Sequence, residues 1–303
     1  MPTSEAVRLS GARRILTGRH VGSRVAPAVA VFLLALVPSR PARGSAYDGF
    51  DYPHRPAPSP NNYNGGYGFS DKWYFLDGHL RAGSLSDPTG TLLTTGNHVG
   101  STDGIGGGGT NAQRPIAQTV GTSGTDLWVS WLMRRGGPDS VNRYQGLLII
   151  YPTVGNVSYR PYFIGEPGPT GLPGPNPFDG SLVIESHSQD RVLVGPLEPD
   201  RTVFMAAHFS FVDGNDTVTV FLNPTPGSTA PTGGVTYNGI DFHEGRPLFS
   251  FLSADNNNGS DLSEFDELRV GSTYAEVAPT VPEPVGLALF GAASAGLLCR
   301  RRR

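Results

Sequence analysis

Three closely spaced carboxylates near the end of the chain have the residue types for acid–base chemistry: Glu264, Asp266 and Glu267. Two carboxylates on one face of a strand can serve as nucleophile and general acid in cleavage of a glycosidic bond. The pair that would flank a glycosidic bond is Glu264 and Glu267. Strand alternation puts Glu264 and Asp266 on one face and turns Glu267 to the other, so we expect no catalysis by this pair. The alternative is structural: Phe265 and Leu268 anchor the last strand, while Asp266 and Glu267 fix a neighbouring loop.

A segment just before these carboxylates is dense in oxygen ligands. It runs from Asp255 to Asp261 as DNNNGSD. Calcium takes six to eight oxygen ligands from loops of this kind, so Asp255, Asn257 and Asp261 are candidate ligands. The spacing does not match an EF-hand, and an ordinary Asn/Asp-rich turn is the alternative. Asp213 and Asp216 are candidates for a second cluster.

Aromatic side chains offer a different chemistry, because an exposed ring can stack on the apolar face of a sugar. Trp73 and Tyr74 are adjacent in the sequence, and we predict that this pair is exposed and stacks on a glycan. The other two tryptophans, Trp128 and Trp131, lie in an apolar segment, where we expect them to belong to the core.

The strongest structural element is the segment from Asp126 to Arg135. Its alternate residues form two sets, one of Leu127, Val129, Trp131 and Met133 and one of Trp128, Ser130 and Leu132. Both sets are largely apolar, which predicts a central strand that is covered on both faces.

Further strand-like runs follow at short intervals, separated by Gly, Pro, Asn and Asp. They span residues 146–151, 157–164, 181–185, 192–194, 202–212, 217–223, 247–252 and 265–271. Two of them, 202–212 and 217–223, are predicted to form a hairpin, with a positive φ at Gly214. At least eight short strands without helices predict an all-β domain, a β-sandwich or jelly roll.

The ordered strand patterns between about 120 and 275 resemble the concanavalin A-like (laminin G-like) jelly rolls of exported bacterial proteins. The segments that carry the likeness are WVSWLMR from Trp128, GLLIIY from Gly146, the 208–224 hairpin and FDELRVG from Phe265. The resemblance implies glycan binding, adhesion or glycoside hydrolysis. The laminarinase-type hydrolases of this fold carry Glu-x-Asp-x-(x)-Glu on one strand, and this chain lacks the last carboxylate in that register.

The C-terminus has three parts in order: Val281, Pro282, Glu283 and Pro284; an apolar run over 285–298; and Arg300, Arg301, Arg302 and Arg303. Basic residues beside an apolar run stay on the cytoplasmic side of a membrane. This arrangement resembles the PEP-CTERM sorting signal of exported bacterial proteins. The resemblance implies recognition by an exosortase, transient anchoring in the inner membrane and cleavage near Pro284. A plain tail anchor is the alternative.

The N-terminus has the features of a secretory signal peptide: an arginine-rich start, an apolar run over 25–37 and small residues around Ala46. We therefore divide the chain into a signal peptide at 1–46, a jelly-roll domain at 47–279 and a sorting segment at 280–303. A helix is expected in each terminal segment. The protein is expected in the cell envelope, on the cell surface or in the extracellular matrix.

The charge of the predicted domain limits its partners. Residues 47–279 contain 12 basic and 24 acidic side chains, so this part of the chain is strongly acidic. An acidic surface repels nucleic acid and is compatible with divalent cations and neutral glycans. Non-catalytic glycan binding or adhesion is the function we predict, with calcium as the candidate cofactor and polysaccharide as the partner. A polysaccharide hydrolase or lyase and a structural matrix protein without a ligand are the alternatives.

The sorting segment generates the first testable prediction. Mature protein from the envelope fraction should lack the C-terminal tail, because the Pro282–Pro284 motif directly precedes the apolar run. Mass spectrometry of the C-terminal peptide checks this. A mature protein that retains the residues from Gly286 to Leu298 would contradict the sorting assignment.

Overall fold

The computed structural model describes residues 46–53, 63–100, 110–136, 143–154, 157–168, 176–186, 190–255 and 263–281. This part of the chain is built from β-strands, with a single four-residue helix, α1 (Tyr274–Val277). The strands are β1 (Ala46–Asp48), β2 (Tyr74–Asp77), β3 (His79–Arg81), β4 (His98–Gly100), β5 (Thr110–Pro115), β6 (Asp126–Arg134), β7 (Arg143–Val154), β8 (Val157–Glu166), β9 (Ser181–Ser186), β10 (Arg191–Pro196), β11 (Thr202–Ser210), β12 (Asp216–Leu222), β13 (Val235–Ile240), β14 (Leu248–Asp255) and β15 (Glu264–Gly271).

The strands form two antiparallel sheets. Sheet 1 has the order β13-β12-β11-β6-β15-β4-β3, and β1 also pairs with β15. Sheet 2 has the order β10-β9-β8-β7-β14-β5-β2. The chain is therefore an all-β sandwich, as the strand pattern predicted. Many strands that are adjacent in a sheet, such as β6 and β15, are far apart in the sequence. The pattern of one strand therefore does not indicate which strand pairs with it.

The main core lies between the two sheets and is filled by alternate residues of their strands. On β6 these are Leu127, Val129, Trp131 and Met133, all of which are buried. Trp131 is completely buried, which confirms its predicted place in the core.

A second, smaller apolar cluster covers the other face of sheet 1. It contains Trp128 and Leu132 from β6, Leu85 and Leu92 from the segment before β4, and Tyr274 from α1. Burial therefore extends to both faces of β6, which confirms the prediction of a two-sided central strand.

The segment after β15 is fastened to this outer face by hydrogen bonds. Ser130 Oγ donates to the carbonyl of Val277 over 2.5 Å. The backbone N–H of Val281 donates to the carbonyl of Thr91 over 2.9 Å, and Thr280 forms a β-bridge with Leu92. Backbone pairing with the domain thus continues to the residue that directly precedes the Pro-Glu-Pro motif.

The predicted hairpin is confirmed. β11 and β12 pair antiparallel from Met205 opposite Leu222 to Ser210 opposite Thr217, and Gly214 in the turn has a φ of 95°. Sequence analysis assigned no strand before residue 120 and missed β13. These strands are short and contain residues such as Gly, Asn and Gln that carry little strand signal of their own.

The two predicted terminal helices lie outside the described residues, as do the apolar runs over 25–37 and 285–298. Among the residues that the structure describes, no helix has the length and hydropathy of a membrane span.

The burial of Trp131 generates a prediction about stability. Truncation of a buried aromatic side chain costs about 3–5 kcal/mol, which is comparable to the whole stability of many domains. Trp131→Ala should therefore unfold the protein or lower its melting temperature strongly. The matched control is Leu193→Ala, because Leu193 is 55% exposed. Thermal unfolding followed by circular dichroism makes the comparison, and equal melting temperatures for the two variants would contradict the packing described above.

Candidate functional site

The three carboxylates of β15 are arranged by a β-bulge. The pairing of β15 with β6 shifts register between Asp266 and Arg269, and Glu267 has a φ of 57°. Phe265 and Leu268 both point into the main core although they are three residues apart. The extra residue therefore leaves both Asp266 and Glu267 on the face that points away from the core.

The predicted orientation of Glu267 was wrong for this reason. Strand alternation assumes an unbroken period of two, and the bulge interrupts it. The carboxylates of Asp266 and Glu267 both accept hydrogen bonds from Ser84 Oγ, over 2.5 and 3.5 Å. Because both contact the same hydroxyl, the two carboxylates lie on the same side of the sheet and not on opposite faces.

Both carboxylates hold the segment that precedes β4. Asp266 accepts the backbone N–H of Leu85 over 2.8 Å, and Glu267 accepts the backbone N–H of Thr95 over 2.5 Å. Glu267 also forms an ion pair with Arg269. The structural alternative from sequence analysis, in which Asp266 and Glu267 fix a neighbouring loop, is thus confirmed.

Burial raises the pKa of both side chains. Burial is the largest cause at Asp266, followed by the negative charge of Glu267, and together they raise its pKa well above the ordinary value. Burial also raises the pKa of Glu267, although Arg269 and the N–H of Thr95 oppose it.

Glu264, the third of these carboxylates, also has partners within the protein. It lies between Arg134, His98 and Arg81, and its Oε1 is 3.3 Å from His98 Nε2. Burial alone would raise the pKa of Glu264, but the close contact with His98 and the positive charges of Arg134 and Arg81 outweigh it and lower the pKa. Because Glu264, Asp266 and Glu267 are each at most 2% exposed, these carboxylates do not line an open site.

Trp73 is not a glycan-stacking residue, contrary to the sequence prediction. Its side chain is fully buried, and its indole N–H donates to Asp48 Oδ2 over 2.6 Å. A buried partner for the N–H lets the whole ring leave the surface. The ring packs instead on Phe50 and Phe251, with centroids 5.1 and 6.1 Å away.

Asp48 is the centre of a buried polar cluster between the sheets. Its carboxylate pairs with the guanidinium of Arg114 and accepts the hydroxyl of Tyr52 over 2.5 Å and the N–H of Phe50 over 2.9 Å. Arg114 is 2% exposed and lies over the ring of Phe69 at 4.2 Å. Several of these groups lie far apart in the sequence, so no local pattern indicated the cluster.

Tyr74, in contrast, lies at the surface with 54% of its area exposed. It begins β2, the edge strand of sheet 2, and stands directly opposite Gln113 of β5. Gln113 in turn stands opposite Ser250 of β14. Residues directly opposite in neighbouring strands have Cβ atoms about 5 Å apart on the same face. The three side chains therefore form one row on the face of the sheet that points away from the core, in which Tyr74 is exposed and Ser250 is buried.

Asn111 joins this row through hydrogen bonds. Its Oδ1 accepts Gln113 Nε2 over 2.8 Å and Ser250 Oγ over 3.2 Å. Within the described part of the chain, Asn111 Nδ2 and Gln113 Oε1 have no hydrogen-bond partner. We call Tyr74, Asn111 and Gln113, together with the buried Ser250 that donates to Asn111, the Tyr74 patch.

Sequence analysis identified only Tyr74 of this patch. The alternation of Asn111, Ala112 and Gln113 is a strand signal that places both amides on one face, since Ala112 is buried in the core. Ser250 comes from a strand more than 130 residues later, and no local pattern links it to the amides.

The predicted calcium ligands Asn257 and Asp261 lie outside the described residues, as does the side chain of Asp255. The second candidate cluster was wrong. Asp216 is 1% exposed, and its two oxygens accept the backbone N–H groups of Val212 and Phe242, each over 2.7 Å. In the described ranges, no group of three or more His, Cys, Asp or Glu side chains could hold a metal ion.

No protein-family profile and no curated protein matches the chain. Its sandwich is similar to several solved structures at low identity. The carbohydrate recognition domain of Emp47p is 12% identical over 76% of this chain and 95% of that one, with a TM-score of 0.42. Peanut lectin is 11% identical over 75% and 97%, with a TM-score of 0.41. The GH131 β-glucanase catalytic domain from Podospora anserina is 11% identical over 59% and 75%, with a TM-score of 0.38. We transfer no residue role from these proteins.

The buried carboxylates generate a prediction about pH. A group whose pKa is raised by folding stabilises the fold below its ordinary pKa, and this stabilisation is lost as the pH rises through the folded-state value. Asp266 and Glu267 should therefore lower the free energy of unfolding as the pH rises from about 4 towards neutrality. The lowered pKa of Glu264 acts only on the acid side, where its stabilisation is lost as the pH falls.

Chemical denaturation between pH 4 and 8 measures this slope. Asp266→Asn should make it smaller than in the wild type, whereas the exposed Asp213→Asn control should leave it unchanged. An Asp266→Asn variant with the wild-type slope would show that the buried pair does not titrate as described.

Proposed function

We propose that this chain is an exported, concanavalin A-like glycan-binding protein without catalytic activity, and that the Tyr74 patch contacts the glycan. The observation that carries the proposal is the patch itself. A half-exposed aromatic ring lies beside an amide N–H donor and an amide carbonyl acceptor that no other described group uses.

The chemistry of the patch matches a neutral sugar. A pyranose ring has an apolar C–H face, which an aromatic ring covers, and hydroxyl groups, which both donate and accept hydrogen bonds. The free Asn111 N–H and Gln113 carbonyl supply one group of each kind, and sites that recognise small ligands use such a few placed polar groups on an apolar surface. The acidic composition of residues 47–279 favours a neutral glycan over an anionic one.

The glycosidase alternative receives no support from β15. A retaining hydrolase needs two accessible carboxylates about 5–5.5 Å apart, one on each side of the scissile bond. The three carboxylates of β15 are buried and hold the segment from Ser84 to Thr95. We therefore expect no hydrolysis of laminarin or agarose at this strand.

Export, exosortase processing and a place at the cell surface or in the extracellular matrix complete the proposal. They rest on the sequence motifs at the two ends of the chain. The paired segment from Pro279 to Val281 supports this order of parts, because backbone pairing with the domain continues to the residue directly before Pro282. Calcium binding at the segment from Asp255 to Asp261 is also proposed, and its test is a rise in melting temperature when calcium is added after chelation.

A glycan array with the purified protein tests the binding proposal, followed by titration calorimetry on the tightest neutral ligand. Tyr74→Ala should weaken binding at this patch by about fivefold or more, because loss of a stacked ring costs about 1 kcal/mol or more. Leu193→Ala is the matched control, since Leu193 is equally exposed on the opposite edge strand of the same sheet.

Two results would contradict the proposal. One is a protein that binds no neutral glycan on the array, with or without calcium. The other is glycan binding that Tyr74→Ala and Gln113→Ala leave at wild-type affinity while both variants melt at the wild-type temperature.

A further inference from the structure

Two adjoining cavities lie at the edge of the sandwich opposite Tyr74. The larger, about 730 Å³, is lined by β10, β12 and the connection from β12 to β13. The smaller, about 540 Å³, is lined by the connection from β10 to β11, by the adjoining ends of β10, β11 and β12, and by the segment before β4. Leu222 and Asn223 line both, so we call the pair of cavities the Asn223 cleft. Each volume is in the range of about 300–1,000 Å³ that is usual for small-ligand sites.

The cleft combines an apolar floor with hydroxyl groups. Three valines line the larger cavity, Val194, Val220 and Val235, and all three belong to or pack against the main core. Exposed hydroxyls of the β12–β13 connection surround them, including Thr229 and Thr232. The described residues that line this larger cavity therefore offer apolar carbon and neutral oxygen, and none of them is charged.

Asn223 is held rigidly where the two cavities meet. Its backbone has a φ of 50°, its N–H donates to the carbonyl of Phe204 over 2.7 Å, and its Oδ1 accepts the N–H of Phe204 over 2.9 Å. The side-chain Nδ2 has no partner within the described ranges, and the residue is exposed. A fixed amide donor therefore faces the solvent in the cleft.

Asp200 supplies a matching acceptor in the smaller cavity. It also has a positive φ, 56°, and its N–H donates to the carbonyl of Arg135 over 2.6 Å. The exposed carboxylate has no partner among the described residues. Among the described residues that line this cavity, Arg201 is the only basic one, and it is already paired with Glu198 over 2.8 Å. The described lining is therefore acidic and disfavours an anionic ligand.

We infer that the Asn223 cleft is a second glycan site, for a neutral oligosaccharide, and that the protein cross-links glycan chains. The ligand class rests on the proposed function, but the cleft itself does not involve the Tyr74 patch. β2 and β10 are the two edges of sheet 2, six strand spacings or roughly 29 Å apart. Two sites at this separation cannot hold the same sugar ring, so they bind separate chains or distant segments of one chain.

Titration calorimetry of the full-length protein with laminarihexaose, cellohexaose and maltohexaose tests the inference. At least one of these hexamers should bind with two equivalents per chain. Asn223→Gly keeps the positive φ and removes the amide, so it should weaken one binding step by about tenfold and leave the other unchanged. Asn215→Gly, in the exposed β11–β12 turn, is the matched control and should behave as the wild type.

Two further measurements keep the test independent of folding defects. In the unmodified protein labelled with ¹⁵N, the side-chain amide signal of Asn223 should shift on addition of the hexamer. With polymeric laminarin or another responding glucan, light scattering should rise for the wild type and should be lost in both Tyr74→Ala and Asn223→Gly.

The outcomes separate this inference from the proposed function. One equivalent that is lost in Tyr74→Ala and unaffected by Asn223→Gly overturns the cleft site and leaves the Tyr74 patch intact. One equivalent that is lost only in Asn223→Gly supports the cleft site, removes the patch and overturns the cross-linking. An Asn223 amide signal that does not move with any of the three hexamers also overturns the cleft site.

Discussion

The bulge at Glu267 is the constraint on which the outer face of sheet 1 and its covering segment depend. By placing one extra residue in β15, it leaves Phe265 and Leu268 in the core and turns Asp266 and Glu267 outwards together. These two carboxylates then bind the backbone of the segment that contains Leu85. That segment covers the outer face of β6 and completes the second apolar cluster. The acidic residues of β15 thus position a covering segment, and their burial removes them from contact with any large substrate.

Asp48 has the corresponding role between the sheets. An isolated charge in the interior costs several kcal/mol, so Arg114 is tolerated there only because Asp48 pairs with it. The same carboxylate takes the N–H of Trp73 and so draws that ring into the core. Its neighbour Tyr74 stays at the surface. Two adjacent residues are therefore a core residue and the proposed glycan contact.

Sequence analysis predicted the parts of the fold that local patterns encode. The period of two from Leu127 to Met133 identified the central strand, and Gly214 identified the hairpin turn, because side-chain alternation and positive φ are local properties. Glu267 was assigned to the wrong face because a bulge depends on the partner strand. Trp73 was assigned to the surface because its buried partner lies 25 residues upstream.

In the candidate sites, too, the sequence indicated residues with a local signal and missed those whose role depends on tertiary structure. Tyr74 was found because an aromatic residue is conspicuous in any sequence, whereas the Asn111 amide and the Ser250 hydroxyl acquire a shared role only when β14 pairs with β5. Asn223 and Asp200 carried no signal, since Asn and Asp are common turn residues. Their contribution depends on two connections that tertiary structure brings to one cleft.

A crystal structure of the protein with its tightest-binding neutral glycan tests the central claim most directly. The sugar should stack on Tyr74, with Asn111 Nδ2 or Gln113 Oε1 about 2.7–3.2 Å from a hydroxyl oxygen. Asp266 and Glu267 should still hold the backbone of Leu85 and Thr95. A sugar bound at Glu264 or Asp266, with that covering segment displaced, would contradict a non-catalytic glycan-binding protein whose β15 carboxylates are structural.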